Sequence, residues 1–393
     1  MPVRATKRGA DRTRLQRDCD VLVCGASFAG LAVARELADA GASVLVVDRY
    51  EIGERQTSAC GIPTSWLMAL ELDSSLRQSF DALVVHTPFT TSHWQLPWSF
   101  STFDYRELCG LLWDQAQAPE LEFETATVTG RSGHTVHTDR GDLRAPLIVD
   151  GLGWRRVLSN AQPIQPPEAR LSRGLEVHPP GRGKDMELWL DAGYVRAGYS
   201  WSFPAGDELR VGVGSFWPTH HVKEPTVRLA GDLGLPAAGY QGNWIPHQLR
   251  RAVEDGIFFV GDSAGHCLPL TAEGIRTALY FGLACGRELR AVLDGTRTRE
   301  QALARYAAFS DSHARKFRWL LSVQRAVGQI TPSRAATAIV KAFENRRLTR
   351  WAFSHYLAIA PPSFVSTGSA DRSSSANASR RTPSSMAGSA RLA

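Results

Sequence analysis

The segment 20–48 constrains the fold most strongly, because it has the pattern of strand, glycine-rich turn, helix and strand. A buried apolar strand is predicted over Asp20–Cys24, an Ala/Leu-rich helix over about Gly30–Ala40, and a second buried strand over Ser43–Asp48. Two strands joined by one helix pair in parallel through a right-handed crossover. The chain is therefore predicted to contain a parallel α/β sheet.

The turn between this strand and helix has the composition of a phosphate-binding loop. Its sequence is Gly25-Ala26-Ser27-Phe28-Ala29-Gly30. Gly25 permits a tight turn, Gly30 allows close packing of helix on strand, and the helix N-terminus offers N–H groups to a pyrophosphate. Ser27 stands where such loops usually have Gly, and its hydroxyl can itself bind a phosphate oxygen. Asp48 ends the second strand, where a carboxylate can accept hydrogen bonds from an adenosine ribose. A glycine-rich turn without a ligand, and a surface position for Asp48, remain alternatives.

A second strand-end motif lies late in the chain. The buried strand Ile257–Val260 is followed by Gly261-Asp262, and a long helix is predicted from Gly274-Ile275 onward. The carboxylate suits a ribitol hydroxyl, and the helix N-terminus suits the pyrimidine edge of a flavin, where negative charge collects on reduction. A plain core strand is the alternative.

A third strand, Leu147–Val149, also ends in an acidic residue, Asp150. Together the three sites resemble the FAD-dependent group with the p-hydroxybenzoate hydroxylase-like fold. The resemblance implies an α/β chain with a Rossmann-like FAD-binding domain, an inserted mostly-β substrate domain and C-terminal helices. It also implies that Arg106, which opens a helix, reaches the flavin pyrophosphate. The residues expected to contact FAD are Gly25, Ala26, Ser27, Ala29, Gly30, Asp48, Arg49, Arg106, Asp150, Gly261, Asp262, Gly274 and Ile275.

An aromatic strand narrows the resemblance to one branch of this group. Tyr199-Ser200-Trp201-Ser202-Phe203-Pro204, followed by Gly212-Val213-Gly214, resembles the signature of geranylgeranyl reductases, which saturate isoprenoid double bonds. Alternate residues of a strand share a face, so the aromatic side chains can form one wall of an apolar site; filling the core of the β domain is the alternative. The residues expected to line the substrate site are Tyr199, Trp201, Phe203, Pro204, Gly212 and Gly214.

Three residues are candidates for a catalytic role in such a reductase, in which reduced FAD supplies a hydride and an acid supplies a proton. Cys60, in a Cys-Gly pair that resembles a loop near the flavin of the reductases, can donate a proton or simply pack there. His266 follows the Gly261-Asp262 motif. Glu273 is either an acid or a cap of the following helix.

Other enzymatic and binding functions remain open. An FAD-dependent monooxygenase that uses NAD(P)H and O2 on an aromatic or polyketide-like molecule is the main alternative, and a non-catalytic lipid-binding flavoprotein is another. The sequence has no second dinucleotide loop, so the reductant is expected to be transiently bound NAD(P)H or a protein electron donor. No metal site is expected, because the six cysteines form no zinc-type spacing.

Charge and hydropathy define the expected partners. The net charge of +6 lies mostly at the two ends and in the C-terminal third, without a basic stripe interleaved with aromatics, so nucleic acid is not an expected partner. No stretch approaches ~18 uninterrupted apolar residues. A cytoplasmic protein with an apolar small-molecule or lipid substrate is expected, of unspecified oligomeric state. The segment Arg346–Ala360 either packs as a C-terminal helix or rests on a membrane surface.

The expected domains alternate along the chain. Residues 1–17 and 363–393 are expected to be a disordered arm and a disordered tail. The FAD-binding domain is expected at 18–84, 101–160 and 246–293, the substrate domain at 85–100 and 161–245, and C-terminal helices at 294–362. From Gly274 onward, helices are predicted near Ile275–Leu293, Glu300–Ile330 and Arg334–Ala360.

Overall fold

The computed structural model describes residues 13–56, 58–161, 164–329 and 334–367, with the side chains of 334–336 excepted. The strands are β1 (Arg17–Asp18), β2 (Val21–Cys24), β3 (Val44–Asp48), β4 (Gly61–Pro63), β5 (Leu76–Thr87), β6 (Thr90–Phe103), β7 (Leu121–Thr125), β8 (Val128–Ser132), β9 (Thr135–Thr138), β10 (Gly141–Arg144), β11 (Leu147–Asp150), β12 (Leu171–Val177), β13 (Met186–Trp189), β14 (Gly198–Ala205), β15 (Glu208–Ser215), β16 (Gln241–Pro246), β17 (Val253–Glu254) and β18 (Ile257–Phe259). The helices are α1 (Phe28–Glu36), α2 (Thr64–Ala69), α3 (Tyr105–Ala116), α4 (Lys223–Asp232), α5 (Ile275–Leu293), α6 (Arg299–Asp311), α7 (Ala314–Gln329), α8 (Arg334–Ala342) and α9 (Arg346–Leu357).

The predicted parallel sheet is present, with strand order β17-β18-β11-β2-β3-β7. Its central strands are apolar runs buried on both faces, as parallel strands covered by helices usually are. Asp150 pairs with Cys24 on one side and Phe259 on the other, so the carboxyl ends of β2, β11 and β18 lie side by side. The three strand-end motifs therefore meet at one edge, as the sequence predicts.

Glycines bring two helices together on one side of this sheet. α1 packs along α5, and a Cβ at Gly282 would lie 2.6 Å from the carbonyl oxygen of Ala29. A Cβ at Gly286 would likewise lie 2.6 Å from the Glu36 side chain. The close contact fixes the N-terminus of α5 against the loop that begins α1.

The second sheet is mostly antiparallel, with order β16-β12-β15-β14-β13-β5-β6-β4. Its strands alternate in character, so its two faces differ. Val177, Val211 and Val213 pack with Leu229 of α4 on one face. The opposite face, which carries Trp201, borders a cavity shared with the parallel sheet. A smaller sheet, β1-β10-β9-β8, lies beside the parallel one.

The C-terminal part is helical, as predicted, but contains more breaks. The predicted helix Ile275–Leu293 is confirmed as α5. The single helices predicted over 300–330 and 334–360 are wrong, because each divides in two. Asn345 accepts hydrogen bonds from the N–H groups of Arg347 and Leu348, which begins α9 as a separate helix. No helix within the described ranges is long and apolar enough to span a membrane.

Several predicted boundaries need correction. The arm expected at 1–17 is too long, because Leu15 is buried and Arg17 forms an ion pair with Glu122. The substrate sheet includes all of β5 and β6 and has β4 at its edge, so it starts at 61 rather than 85 and extends past 100 to 103. The expectation that residues 363–367 belong to a disordered tail is also wrong, because Val365 is buried. Residues 1–12 and 368–393 lie outside the described ranges. The sequence analysis did not identify α4.

Candidate active site

One cavity of about 950 Å³ lies between the carboxyl edge of the parallel sheet, the open face of the second sheet and the C-terminal helices. It brings together residues expected from separate motifs. The expected cofactor residues on its wall are Ser27, Ala29, Asp48, Arg49, Gly261, Asp262, Gly274 and Ile275, and the expected substrate residues are Tyr199, Trp201 and Phe203. These motifs, far apart in sequence, therefore form one site.

The glycines of the first turn shape the site without lining it. Gly25 has φ +112°, and a Cβ there would lie 2.4 Å from the carbonyl oxygen of Gly151. A Cβ at Gly30 would lie 1.8 Å from the carbonyl oxygen of Gly25. The Ala26 N–H is also engaged, because it donates to Asp48 Oδ2 at 2.8 Å. Gly25, Ala26 and Gly30 therefore allow strand, loop and helix to approach closely, and their contact with the cofactor stays a prediction.

Asp48 connects this turn to the end of β3. It accepts hydrogen bonds from the N–H groups of Ala26 and Tyr50, and burial raises the pKa of its carboxyl. Beside it, the Tyr105 hydroxyl lies 3.3 Å from Ser27 Oγ, and both residues line the cavity. Arg106 is exposed and is not on the wall, so its contact with the pyrophosphate stays a prediction. At the start of α3, Tyr105 faces the cavity instead.

The expectation that Asp150 contacts the cofactor is corrected, because this residue instead organises the neighbouring loop. It is fully buried and accepts from the N–H groups of Leu152 and Leu158 and from Ser263 Oγ, at 2.7–2.9 Å. These bonds occupy both carboxylate oxygens and hold the loop whose Gly151 reaches the cavity.

Asp262 and the N-terminus of α5 provide complementary groups on the same wall. No described residue donates a hydrogen bond to the Asp262 carboxylate, and burial raises its pKa to about 6 despite the opposing charge of Arg250. α5 begins after Gly274 without a side-chain cap, so its first N–H groups are free to bind an electron-rich ligand. The Asp262 carboxylate can accept hydrogen bonds, and the first N–H groups of α5 can donate them. Together with the glycine turn they fit an FAD, whose ribityl hydroxyls donate hydrogen bonds and whose phosphates and flavin ring accept them.

We predict that replacing Asp262 by Asn stabilises the chain without FAD at neutral pH. The folded pKa of about 6 exceeds the unfolded value of about 3.9, so the folded chain holds the extra proton between these values. The ionised carboxylate therefore costs on the order of 3 kcal/mol at pH 7 and nothing below about pH 4. Thermal unfolding should show a higher Tm for the variant at pH 7 and a smaller gain at pH 5. An equal gain at both pH values would contradict the assignment. FAD titration should show weaker binding by Asp262→Asn, because an acceptor is lost.

The aromatic strand β14 forms the opposite wall, and glycines of the neighbouring strand β15 leave room for its Trp201 ring. A Cβ at Gly212 would lie 2.3 Å from Trp201 Cζ2, and one at Gly214 would lie 3.3 Å from Trp201 Cζ3. The indole therefore lies flat across the glycines of the neighbouring strand. Gly212 and Gly214 do not line the cavity, so their expected substrate contact is corrected to support of the Trp201 ring. Pro204 is buried and does not line the cavity either.

Two of the three catalytic candidates do not reach the cavity. The Cys60 thiol is fully buried, and burial raises its pKa well above its usual range, although the adjacent Gly61 lines the wall. His266 is buried against the ring of Phe281, with 3.7 Å between centroids, and its Nε2 lies 3.1 Å from Ser310 Oγ. Burial keeps its pKa well below the usual value. The expectation that Cys60 or His266 transfers a proton directly to a ligand in this cavity is therefore wrong.

Glu273 does lie on the wall, but its carboxylate is already paired. Both oxygens accept from Arg276 at 2.7 Å, and the Tyr356 hydroxyl also donates to it. Arg276 in turn donates to the carbonyl oxygens of Leu357 and Ala360. The expected helix cap is absent; instead this cluster attaches the end of α9 to the beginning of α5.

The sequence analysis missed a buried carboxylate on the substrate side. Glu176 is 2% exposed and lines the cavity. The Trp201 Nε1–H donates to its Oε2 at 3.2 Å, and His178 Nε2 lies 3.0 Å from its Oε1. The sequence could have indicated this pair, because Glu176 and His178 stand two positions apart in a segment expected to form β-strands, where such residues share one face.

The amino-acid sequence is similar to an FAD-binding family and to reductases of archaeal lipids. The model of the FAD binding domain matches residues 18–97. Digeranylgeranylglycerophospholipid reductase 3 of Methanosphaera stadtmanae is 24% identical over 351 residues, which cover 78% of this chain and 86% of the relative. Digeranylgeranylglycerophospholipid reductase 1 of Methanopyrus kandleri is 26% identical over 354 residues, covering 80% and 90%.

Solved structures share the fold at lower identity. A geranylgeranyl bacteriochlorophyll reductase-like protein from Thermoplasma acidophilum superposes with a TM-score of 0.76 at 17% identity, covering 90% of this chain and 99% of that one. PqsL, a probable FAD-dependent monooxygenase from Pseudomonas aeruginosa, superposes with a TM-score of 0.58 at 18% identity, covering 86% and 100%. The chain is thus an FAD-dependent oxidoreductase with the p-hydroxybenzoate hydroxylase-like fold, similar in sequence to the geranylgeranyl-type reductases.

Proposed function

We propose that the chain reduces carbon–carbon double bonds of an isoprenoid-like lipid. The observation that carries the proposal is that one continuous cavity joins the FAD-type residues, such as Asp262, to a long apolar region. Bound and reduced FAD would supply hydride. The protein contributes orientation and a dry environment, which can supply much of the rate enhancement in such a reaction.

The apolar region has the composition that an isoprenoid chain requires. Its wall extends from the aromatic strand to Leu83, Val85 and Leu96 of the second sheet and then to Phe353 of α9. Trp94, also on the wall, donates from Nε1 to a carbonyl oxygen of α8 at 2.9 Å, which helps to hold the C-terminal helices over the sheet. A small aromatic substrate would leave much of this apolar surface unfilled.

We propose that the C-terminal helices take the lipid from an anionic membrane surface. Trp319 and Ile339 line the cavity and are 62% and 54% exposed, so the cavity opens near them. Trp351 of α9 is 60% exposed. The same helices carry exposed basic residues that complement anionic headgroups: Arg315, Lys316, Arg318, Lys341, Arg346, Arg347 and Arg350.

The reductant for the flavin would be transiently bound NAD(P)H or a protein electron donor.

Anaerobic photoreduction of the FAD-loaded chain, followed by addition of a geranylgeranyl lipid, tests the proposal. We expect the lipid to reoxidise the flavin without oxygen, and to do so faster from anionic than from neutral vesicles. Reoxidation only after air is admitted, with oxygen incorporated into a product, would favour the monooxygenase alternative.

Gly212→Ala should slow this lipid-driven reoxidation by about 100-fold, because its Cβ would displace the Trp201 ring from the wall. FAD binding should be retained, since Gly212 belongs to the second sheet and does not line the cavity. Gly231→Ala is the matched control on the far side of the same domain, where a Cβ meets no atom within 4 Å. Equal rates in the two variants would contradict the role of the aromatic wall.

A further inference from the structure

We propose that Glu176 donates the proton that completes double-bond reduction, and that His178 and Glu208 resupply it from solvent. The inference rests on the proposed function. It assigns the acid of the reaction to a residue on the substrate sheet rather than to Cys60, His266 or Glu273.

Glu176 is set apart from the other acidic side chains on the cavity wall. Asp48 and Asp262 lie at the FAD end, and Glu273 is neutralised by Arg276. Asp191 is partly exposed and accepts from the Gly193 N–H. Glu176 is buried on the sheet face that carries the aromatic wall, without an Arg or Lys partner among the described residues.

Its backbone register places Glu176 beside the proposed substrate. Glu176 pairs with Gly212 on β15, and Gly212 pairs with Trp201 on β14. Because Gly212 has no side chain, the Trp201 indole crosses it and donates to Glu176. A carboxylate left after proton transfer would thus retain one hydrogen-bond donor, on a residue that lines the cavity.

A path to solvent leads away from Glu176 along the same face. His178 Nε2 lies 3.0 Å from Glu176 Oε1, and His178 Nδ1 lies 3.6 Å from Glu208 Oε1. The Glu208 side chain is 37% exposed, whereas that of His178 is 13% exposed. Arg210 holds Glu208 in place by donating to its Oε1 at 2.9 Å. The side-chain amide of Gln241 also lies 2.8 Å from His178 Nδ1. The described charged groups around this histidine are therefore Glu176, Glu208 and Arg210.

The proposed step is balanced in atoms and electrons. Reduced FAD, when bound, would supply a hydride to one alkene carbon and be oxidised. Glu176 transfers its proton to the other carbon, and the π bond is lost. Glu176 is left as a carboxylate and recovers a proton from the imidazolium of His178. His178 is then reprotonated from solvent through Glu208. An imidazolium between two carboxylates is well placed for this transfer.

The reaction test uses the FAD-loaded chain and a geranylgeranyl lipid. Glu176→Gln should slow lipid-driven reoxidation by at least about 100-fold, while lipid binding and reoxidation by oxygen stay close to wild type. Glu208→Gln should slow it by about tenfold and change its pH profile. A Glu176→Gln rate within about threefold of wild type would overturn the assignment. If the lipid does not reoxidise the wild-type flavin, the proposed function fails instead.

A second readout requires neither flavin nor substrate. The indole N–H resonance of Trp201, assigned with Trp201→Phe, reports the charge of the carboxylate to which it donates. It should move with pH in the wild-type chain and not in Glu176→Gln. His178→Asn should move its midpoint to a different pH. An unchanged midpoint would show that His178 is not coupled to Glu176 and would overturn the path.

Discussion

Gly30→Ala is expected to abolish FAD binding and to lower the free energy of unfolding by about 3 kcal/mol, the upper end of the usual cost of overpacking. The new Cβ would lie 1.8 Å from the carbonyl oxygen of Gly25, which is backbone. Gly25 cannot readily retreat, because its own α-carbon already faces the Gly151 carbonyl. The turn and α1 must therefore separate, and the loop loses the shape that receives the pyrophosphate.

Gly110→Ala is the matched control for this substitution, since Gly110 also lies inside a helix, α3. A Cβ there meets no atom within 4 Å, so the variant should gain about 0.5–1 kcal/mol from helix propensity. Urea unfolding and FAD titration, monitored by flavin absorbance, measure both effects. Normal FAD affinity in Gly30→Ala would contradict the account of the turn.

Arg276→Ala is expected to have the largest effect outside the FAD loop, a loss of about 3–5 kcal/mol in the free energy of unfolding. The Arg276 side chain is fully buried and pairs in bidentate fashion with Glu273. Removing it leaves Glu273 as an uncompensated charge. It also frees the carbonyl oxygens at the end of α9 and removes the guanidinium that lies 4.8 Å from the Tyr356 ring centroid.

Arg305→Ala is the control for the removal of an arginine. Its side chain is 59% exposed and pairs with Glu288 at 3.2 Å, so its loss should cost less than about 1 kcal/mol. Calorimetry on the two variants gives the comparison. Similar Tm values would mean that the Glu273–Arg276 cluster does not attach the C-terminal helices to the site.

The features predicted well from the sequence are those that local pattern decides. Continuous apolar runs identified β2, β11 and β18, and the helical pattern from Gly274 onward identified α5 with its observed ends. Parallel strands share a carboxyl edge, so convergence of the three motifs followed from topology alone. The breaks between the later helices were missed, because capping by a residue such as Asn345 competes with a continuous amphipathic pattern.

The roles of individual side chains were harder to predict, because they depend on which neighbour satisfies each polar group. Asp150 and Asp262 both end strands, yet three local donors saturate Asp150, while none among the described residues reaches the Asp262 carboxylate. Gly212 appeared to be a substrate contact, but the ring of Trp201 occupies the space above it. These differences arise from tertiary contacts that a motif does not encode.

The most direct measurement of the central claim is the mass of a geranylgeranyl lipid after anaerobic incubation with the FAD-loaded chain and a reductant in D2O. The account predicts that the product gains two deuterium atoms for each double bond reduced, one through the flavin and one through the acid. A lipid of unchanged mass, or one that changes only by gaining oxygen after air is admitted, would contradict it.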